Sequence, residues 1–154
     1  MAIRIGSRSV AAALLVLTAA GCASTAPSPT PPLAYSADLV TALTPAELRD
    51  ADLVATTVPS DAPPAAISAD MAVATSDGHV AGGSARGRIL AVARAVYQQG
   101  GSGPTRTVWA VVYGPGGAIA NLGPLGGSSP IDLQVNVIDD QTGAFVSGYV
   151  ASGP

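Results

Sequence analysis

The 154-residue chain contains one histidine, His79, one cysteine, Cys22, one glutamate and no lysine. Each of these scarcities closes off a kind of chemistry. A zinc site draws three or four ligands from Cys, His and carboxylate, and one histidine without a spare thiol is a poor start. Serine nucleophiles need a base beside the hydroxyl, which here means His79, with Asp77 and Ser84 as the conceivable partners. The nearest approach to a nucleophile elbow, Gly82-Gly83-Ser84-Ala85-Arg86, lacks the closing glycine, so His79 reads as a solvated loop residue. A phosphate loop would need a lysine to complete it. Asp139-Asp140 could offer oxygens to a hard cation, but no calcium-loop spacing accompanies them, and they read as turn acceptors. The nine aspartates are not paired in any pattern that marks glycoside chemistry. The expectation is a protein that is not an enzyme and has no cofactor.

Side chains suited to contact are easier to find. Trp109 and Tyr113 lie four residues apart in Thr107-Val108-Trp109-Ala110-Val111-Val112-Tyr113, and Asn121 sits in the glycine-rich stretch that follows. Together they form the candidate binding set. After the first 21 residues, five arginines face ten carboxylates, a formal charge of about −5 that argues against a nucleic-acid surface or direct docking on anionic lipid.

Residues 1–21 have the layout of an export signal: Arg4 and Arg8, an apolar run from Val10 to Ala20, then small residues before Cys22. A lone cysteine in that position resembles the bacterial lipobox, in which it becomes a lipidated N-terminus, although Ala19 stands where that pattern usually has Leu. No later apolar run approaches the length of a membrane span. Residues 22–34 carry four prolines among small residues and read as an extended tether of roughly 30 Å, at about 3.1 Å per residue. Residues 35–154 remain for one domain, with no cysteine left for an internal disulfide.

The elements that must position the candidate residues follow from local signals. Thr44-Pro45-Ala46-Glu47 is a capping box with proline at the first helical position, predicting a helix from Pro45 to about Leu53. Leu39, Leu43 and Leu48 would staple it to the body. Ser68 and Asp70 predict a second helix within Ile67–Val80, its buried face formed by Ile67, Met71 and Ala74. Residues 88–97 suit helix or strand, and the strand-like segment at hairpin distance favours strand. Thr107–Tyr113 is a strand by its β-branched and aromatic content. Gly114–Pro130, rich in glycine and proline, predicts a long surface loop without regular structure. Ile131–Val150 is a hairpin in which Ile131, Leu133, Val135 and Val137 alternate with Asp132, Gln134 and Asn136. Its turn is Asp139-Asp140-Gln141-Thr142-Gly143, with Gly143 at the position that needs positive φ.

The order of an Ile-Ser-Ala-Asp helix start, a strand ending Trp109–Tyr113 and the segment Val135-Asn136-Val137-Ile138-Asp139-Asp140-Gln141-Thr142-Gly143-Ala144-Phe145-Val146 resembles PepSY-like domains over residues 66–150. The helix is shorter here, and the 114–130 insertion is a departure. The resemblance implies a helix packed on an antiparallel sheet and an extracytoplasmic binding or inhibitory role without catalytic residues.

The expectation is therefore a single small α+β domain, an antiparallel sheet of about four strands with one or two short helices on one face. It would be held to the membrane by lipid on Cys22, at the extracytoplasmic side, and would bind another envelope protein. The alternative is a binder of small molecules or cell-wall fragments through a cleft lined by Trp109 and Tyr113.

Overall fold

The computed structural model describes residues 35–80, 86–120 and 128–152. Cys22, Ser84 and Asn121, with the signal and tether, lie outside the described residues. In chain order the elements are α1 (Leu39–Ala42), α2 (Pro45–Asp50), β1 (Leu53–Ala55), α3 (Ala69–Asp77), β2 (Ile89–Gln98), β3 (Thr105–Tyr113), β4 (Ala118–Ala120), β5 (Ser128–Asp139) and β6 (Phe145–Ser152). Five strands form one antiparallel sheet in the order β1-β2-β3-β5-β6, and β4 pairs with the start of β5. The count is thus five strands rather than about four, with β4 as a short addition. The extra main strand is β1, where the helix predicted to reach Leu53 stops at Asp50. Asp52 takes a left-handed conformation at φ 59°, which turns the chain so that Leu53 pairs with Tyr97.

The capping box forms as its sequence dictates, Thr44 Oγ1 accepting from Glu47 N and Glu47 Oε2 accepting from Thr44 N. Ser68 caps α3, accepting from Met71 N. The buried face of α3 is nevertheless Ala72, Val73 and Ser76, and Met71 is 57% exposed. Small residues face the sheet because α3 packs close to it, and the long methionine side chain points outward. Segment 88–97 is strand, in register with β3 from Gln98↔Thr105 to Ala91↔Val112.

Helices cover both faces of the sheet, not one. Leu39, Leu43 and Leu48 from α1 and α2 pack on a face made of Ala91, Ala93, Ala95, Val108, Ala110, Val112, Val135 and Val137. Ala72 and Val73 of α3 pack on the other, against Val92, Val111, Tyr113 and Ile138. This double burial explains why β2 and β3 read as continuous apolar runs rather than alternating ones. It also encloses Gln134 and Asn136. They alternate with Leu133 and Val135 as predicted, but the face they occupy lies beneath α3, and both are buried.

Residues 121–127 lie outside the described residues, and on either side of them Gly114–Pro130 is not the structureless loop expected. Tyr113 pairs with Gln134 and Ala118 with Pro130, so β4 continues β3 along the same neighbour with one extra residue between them, a β-bulge. Backbone bonds from Gly116 N to Ile131 O and from Ile131 N to Gly117 O, with Gly117 at φ 72°, hold the join. Gly87 crosses the bulge closely: a Cβ on Gly87 would overlap the Gly114 carbonyl, and one on Gly116 would overlap the Gly87 backbone. The predicted hairpin closes as read, with Gly143 at φ 74° donating to Asp139 O.

Candidate functional site

Trp109 and Tyr113 project from the same face of β3, toward α3, and each is engaged within the fold. Trp109 is partly buried among Ile67, Ala69 and Phe145, and its Nε1 donates to Ile67 O at 3.2 Å. Tyr113 is 1% exposed; its hydroxyl donates to Asp77 Oδ1 at 2.9 Å and lies 2.8 Å from Ser76 Oγ. Burial, with the hydrogen bond and charge of Asp77, pushes its ionisation up to about 12. The cleft expected between these rings is therefore not formed: the space is filled by α3.

Beneath α3 the polar residues close on one another. Asn136 Nδ2 donates to Ser76 O and Oγ at 3.1 and 3.0 Å, and Gln134 Nε2 donates to Asn136 Oδ1 and His79 O at 2.8 and 3.1 Å. These bonds satisfy the last turn of α3, whose carbonyls have no partner within the helix. His79 is exposed and stacks on Phe145, ring centroids 4.0 Å apart. Asp77, its imagined partner, is instead paired with Arg86 at 2.9 Å. This cluster is a satisfied structural network: no buried side-chain polar atom among the described residues lacks a partner. Among those residues no group of three or more His, Cys, Asp or Glu is arranged to hold a metal ion.

The two aspartates at the hairpin turn have different jobs. Asp139 is the turn acceptor expected, with Oδ1 accepting from Gln141 N, Thr142 N and Thr142 Oγ1. Against the effect of burial, those bonds and the charge of Arg106 hold its carboxyl below the usual range. Asp140 turns inward, where Oδ2 accepts from Arg94 Nε and an Arg94 terminal nitrogen at 2.9 and 2.5 Å, and Oδ1 accepts from Thr107 Oγ1 at 3.0 Å. Arg94 also donates to Pro63 O at 2.7 Å, so this buried pair clamps the proline-rich segment 59–67 over the sheet.

The two outer edges of the sheet differ. On the β2 side the edge is occupied by β1 and by Ser36, which bridges to Ala91 and accepts from Val92 N at 2.9 Å. On the other side β6 pairs only with β5 among the described residues. Its eight residues, Phe-Val-Ser-Gly-Tyr-Val-Ala-Ser, include neither charge nor proline. Natural edges are commonly blunted by charge, proline or brevity, and β6 uses none of these. A bulge between Phe145 and Ser147 bends its start. Sequence reasoning singled out no residue of this strand for contact, yet its signal was present as an uncharged run in the last strand of a chain whose charges lie elsewhere.

Among the described residues no helix is long and apolar enough to cross a membrane. Compared with models of protein families, with curated proteins and with solved structures, the chain matches none.

Proposed function

We propose that the chain is an exported lipoprotein, anchored through Cys22 at the extracytoplasmic side of the membrane, that acts without catalysis by binding or inhibiting another envelope protein. The contact is made along the outer edge of β6. The observation that carries this reading is that edge: eight strand residues without charge or proline, bent by a bulge only at their start, on the side of the sheet opposite a β2 edge that is already covered. An extended segment of the partner adds as a further strand, main-chain hydrogen bonds supplying affinity and the alternating side chains selectivity. The export layout of residues 1–21 and the lone cysteine after it support the address. The PepSY-like order of elements supports the kind of role.

The test places a photo-crosslinking residue at Ser147 or Ser152 on β6 and, as a control, at the 65% exposed Val40 on α1, in cells carrying the full chain. The expected outcome is one envelope protein captured from β6 and not from Val40, with capture lost on Val150→Lys. Equal capture from Val40, or adducts of this chain alone, would refute the edge contact. Intact-mass measurement of the native protein checks the anchor: a mature chain that begins at Cys22 with added acyl mass is expected, and an unmodified thiol would remove it.

A further inference from the structure

The turn between β2 and β3 forms one wall of a groove of about 430 Å³ whose floor and rim include Tyr97, Ser102, Thr105 and Arg106. Tyr97 and Arg106 are directly opposed across the two strands, and the Arg106 guanidinium carbon lies 5.3 Å from the centre of the Tyr97 ring. That stacking holds the charge in place over an aromatic face. Arg106 makes no hydrogen bond among the described residues. Its one ionic neighbour, Asp139 Oδ2, is 3.7 Å away, beyond hydrogen-bond reach, and the other oxygen of that carboxylate is taken by the turn. Tyr97 is 2% exposed, yet its hydroxyl has no partner within the described residues. Because no fully buried side-chain polar atom there is left unpaired, the hydroxyl keeps some contact with solvent, and Tyr97 is one of the residues that line the groove. The Ser102 and Thr105 hydroxyls likewise make no hydrogen bond to described residues. Four polar donors that make no internal hydrogen bond thus line or border a concavity with no carboxylate in its own lining, although Asp139 flanks Arg106 and Asp61 lines the hollow next to it.

The wall is braced. Gln98 Nε2 donates to Gly103 O at 2.8 Å, Gly100 N donates to Asp52 Oδ1 at 3.2 Å, and Gln98 N donates to Asp52 O at 3.0 Å. Asp52 is the one non-glycine residue at positive φ among the described residues, a conformation kept only where the surroundings fix it. Beyond the groove, β3 outruns its neighbour: pairing with β5 begins at Val108↔Asp139, so the backbone of residues 105–107 is unpaired on that side. A second hollow, of about 350 Å³, reaches from Thr105 and Arg106 to Pro59 and Pro63.

From these placements we infer that the β2–β3 groove is a binding site for a free carboxylate at the end of a short peptide. The Arg106 fork and the Tyr97 hydroxyl receive the carboxylate, and the peptide backbone runs along residues 105–107. An arginine fork with a hydroxyl beside it matches a carboxylate better than a point cation does. A fixed guanidinium and a braced turn reduce what must be ordered on binding. The site is separate from the β6 edge and does not depend on it.

The experiment titrates the full chain with N-acetyl-dialanine and with its C-terminal amide, following backbone and arginine side-chain NMR signals. Saturable shifts confined to residues 97–107, with a dissociation constant of about 1 mM or tighter, are expected for the acid only. Arg106→Gln should weaken binding by about tenfold or more while leaving the remaining spectrum in place, since Arg106 is exposed. Tyr97→Phe keeps the buried ring and should weaken it several-fold. Equal binding of the amide, undiminished binding by Arg106→Gln, or no saturation by about 10 mM would overturn the assignment.

Discussion

Asp140→Ala is the sharpest test of how the domain is held together. In the native protein this carboxylate accepts four hydrogen bonds: two from Arg94, one from Thr107 and one from Gln141 Nε2 at 3.1 Å. Its side chain is 1% exposed and that of Arg94 is 23% exposed. Removing one partner of a buried ion pair costs about 3–5 kcal/mol, because the other charge stays behind without compensation. Arg94 keeps Pro63 O and can recover some water, which puts the expected loss near the lower bound, about 3 kcal/mol. For a domain of this size that is a fall in Tm of about 12 °C. The comparator is Asp139→Ala, which removes three turn bonds at a more exposed carboxylate and should cost about 1 kcal/mol. Urea unfolding of the two variants gives the difference. The tryptophan should stay as it is, because Ala66 N and Ile67 N still donate to Asp140 O and Arg94 keeps Pro63 O, so Trp109 Nε1 keeps Ile67 O and its emission is unmoved. If Asp140→Ala loses no more than Asp139→Ala, the buried pair is not what holds this corner of the domain together.

Three other outcomes are expected. Tyr113 has a folded pKa of about 12 against an ordinary 10.0, so the stability it contributes is fully present below pH 10 and is lost as pH rises toward 12. Tyr113→Phe should remove that part of the alkaline loss and cost about 1 kcal/mol at neutral pH, read from unfolding curves across the range. Gly87→Ala should destabilise by about 2 kcal/mol or more, since its Cβ would overlap main chain alone, the Gly114 carbonyl and Pro115 O, and loss of exchange protection near Gly114 would locate the damage. Gly143→Ala, in contrast, meets only ordinary contact with Ile67 and should cost about 1 kcal/mol, from the strained positive φ alone, by the same unfolding assay.

What could be read in the sequence was what local chemistry decides. The Thr44 capping box, the Ser68 cap, the β3 run and the Asp139–Gly143 turn each depend on neighbours within a few residues, and each formed. What escaped depends on distant covering. The alternation in β5 separated two sets of residues correctly, but it carried no information that α3 would lie over the polar set and bury Gln134 and Asn136. The i, i+4, i+7 spacing of Ile67, Met71 and Ala74 points to one face of α3, although a close helix-to-sheet approach favours Ala72. The end of α2 was hidden because Asp52 in a left-handed conformation has no strong local mark of the kind glycine gives. Glycines near 114 read as disorder of pattern, yet they serve a crossing with Gly87 that no local window contains. The candidate contact residues followed the same division: aromatic type drew notice to Trp109 and Tyr113, whereas the open β6 edge and the Tyr97–Arg106 pair arise from strand order and register.

A sheet roofed on both sides has little flat ground to offer. Among the described residues, what its perimeter leaves open is a rim of main chain and one corner where a hairpin overhangs. A partner that adds along that rim, as proposed, would be read lengthwise, residue after residue, so recognition should scale with how many consecutive positions are engaged rather than with the footprint covered. On that reading, shortening a bound peptide from either end would weaken it stepwise.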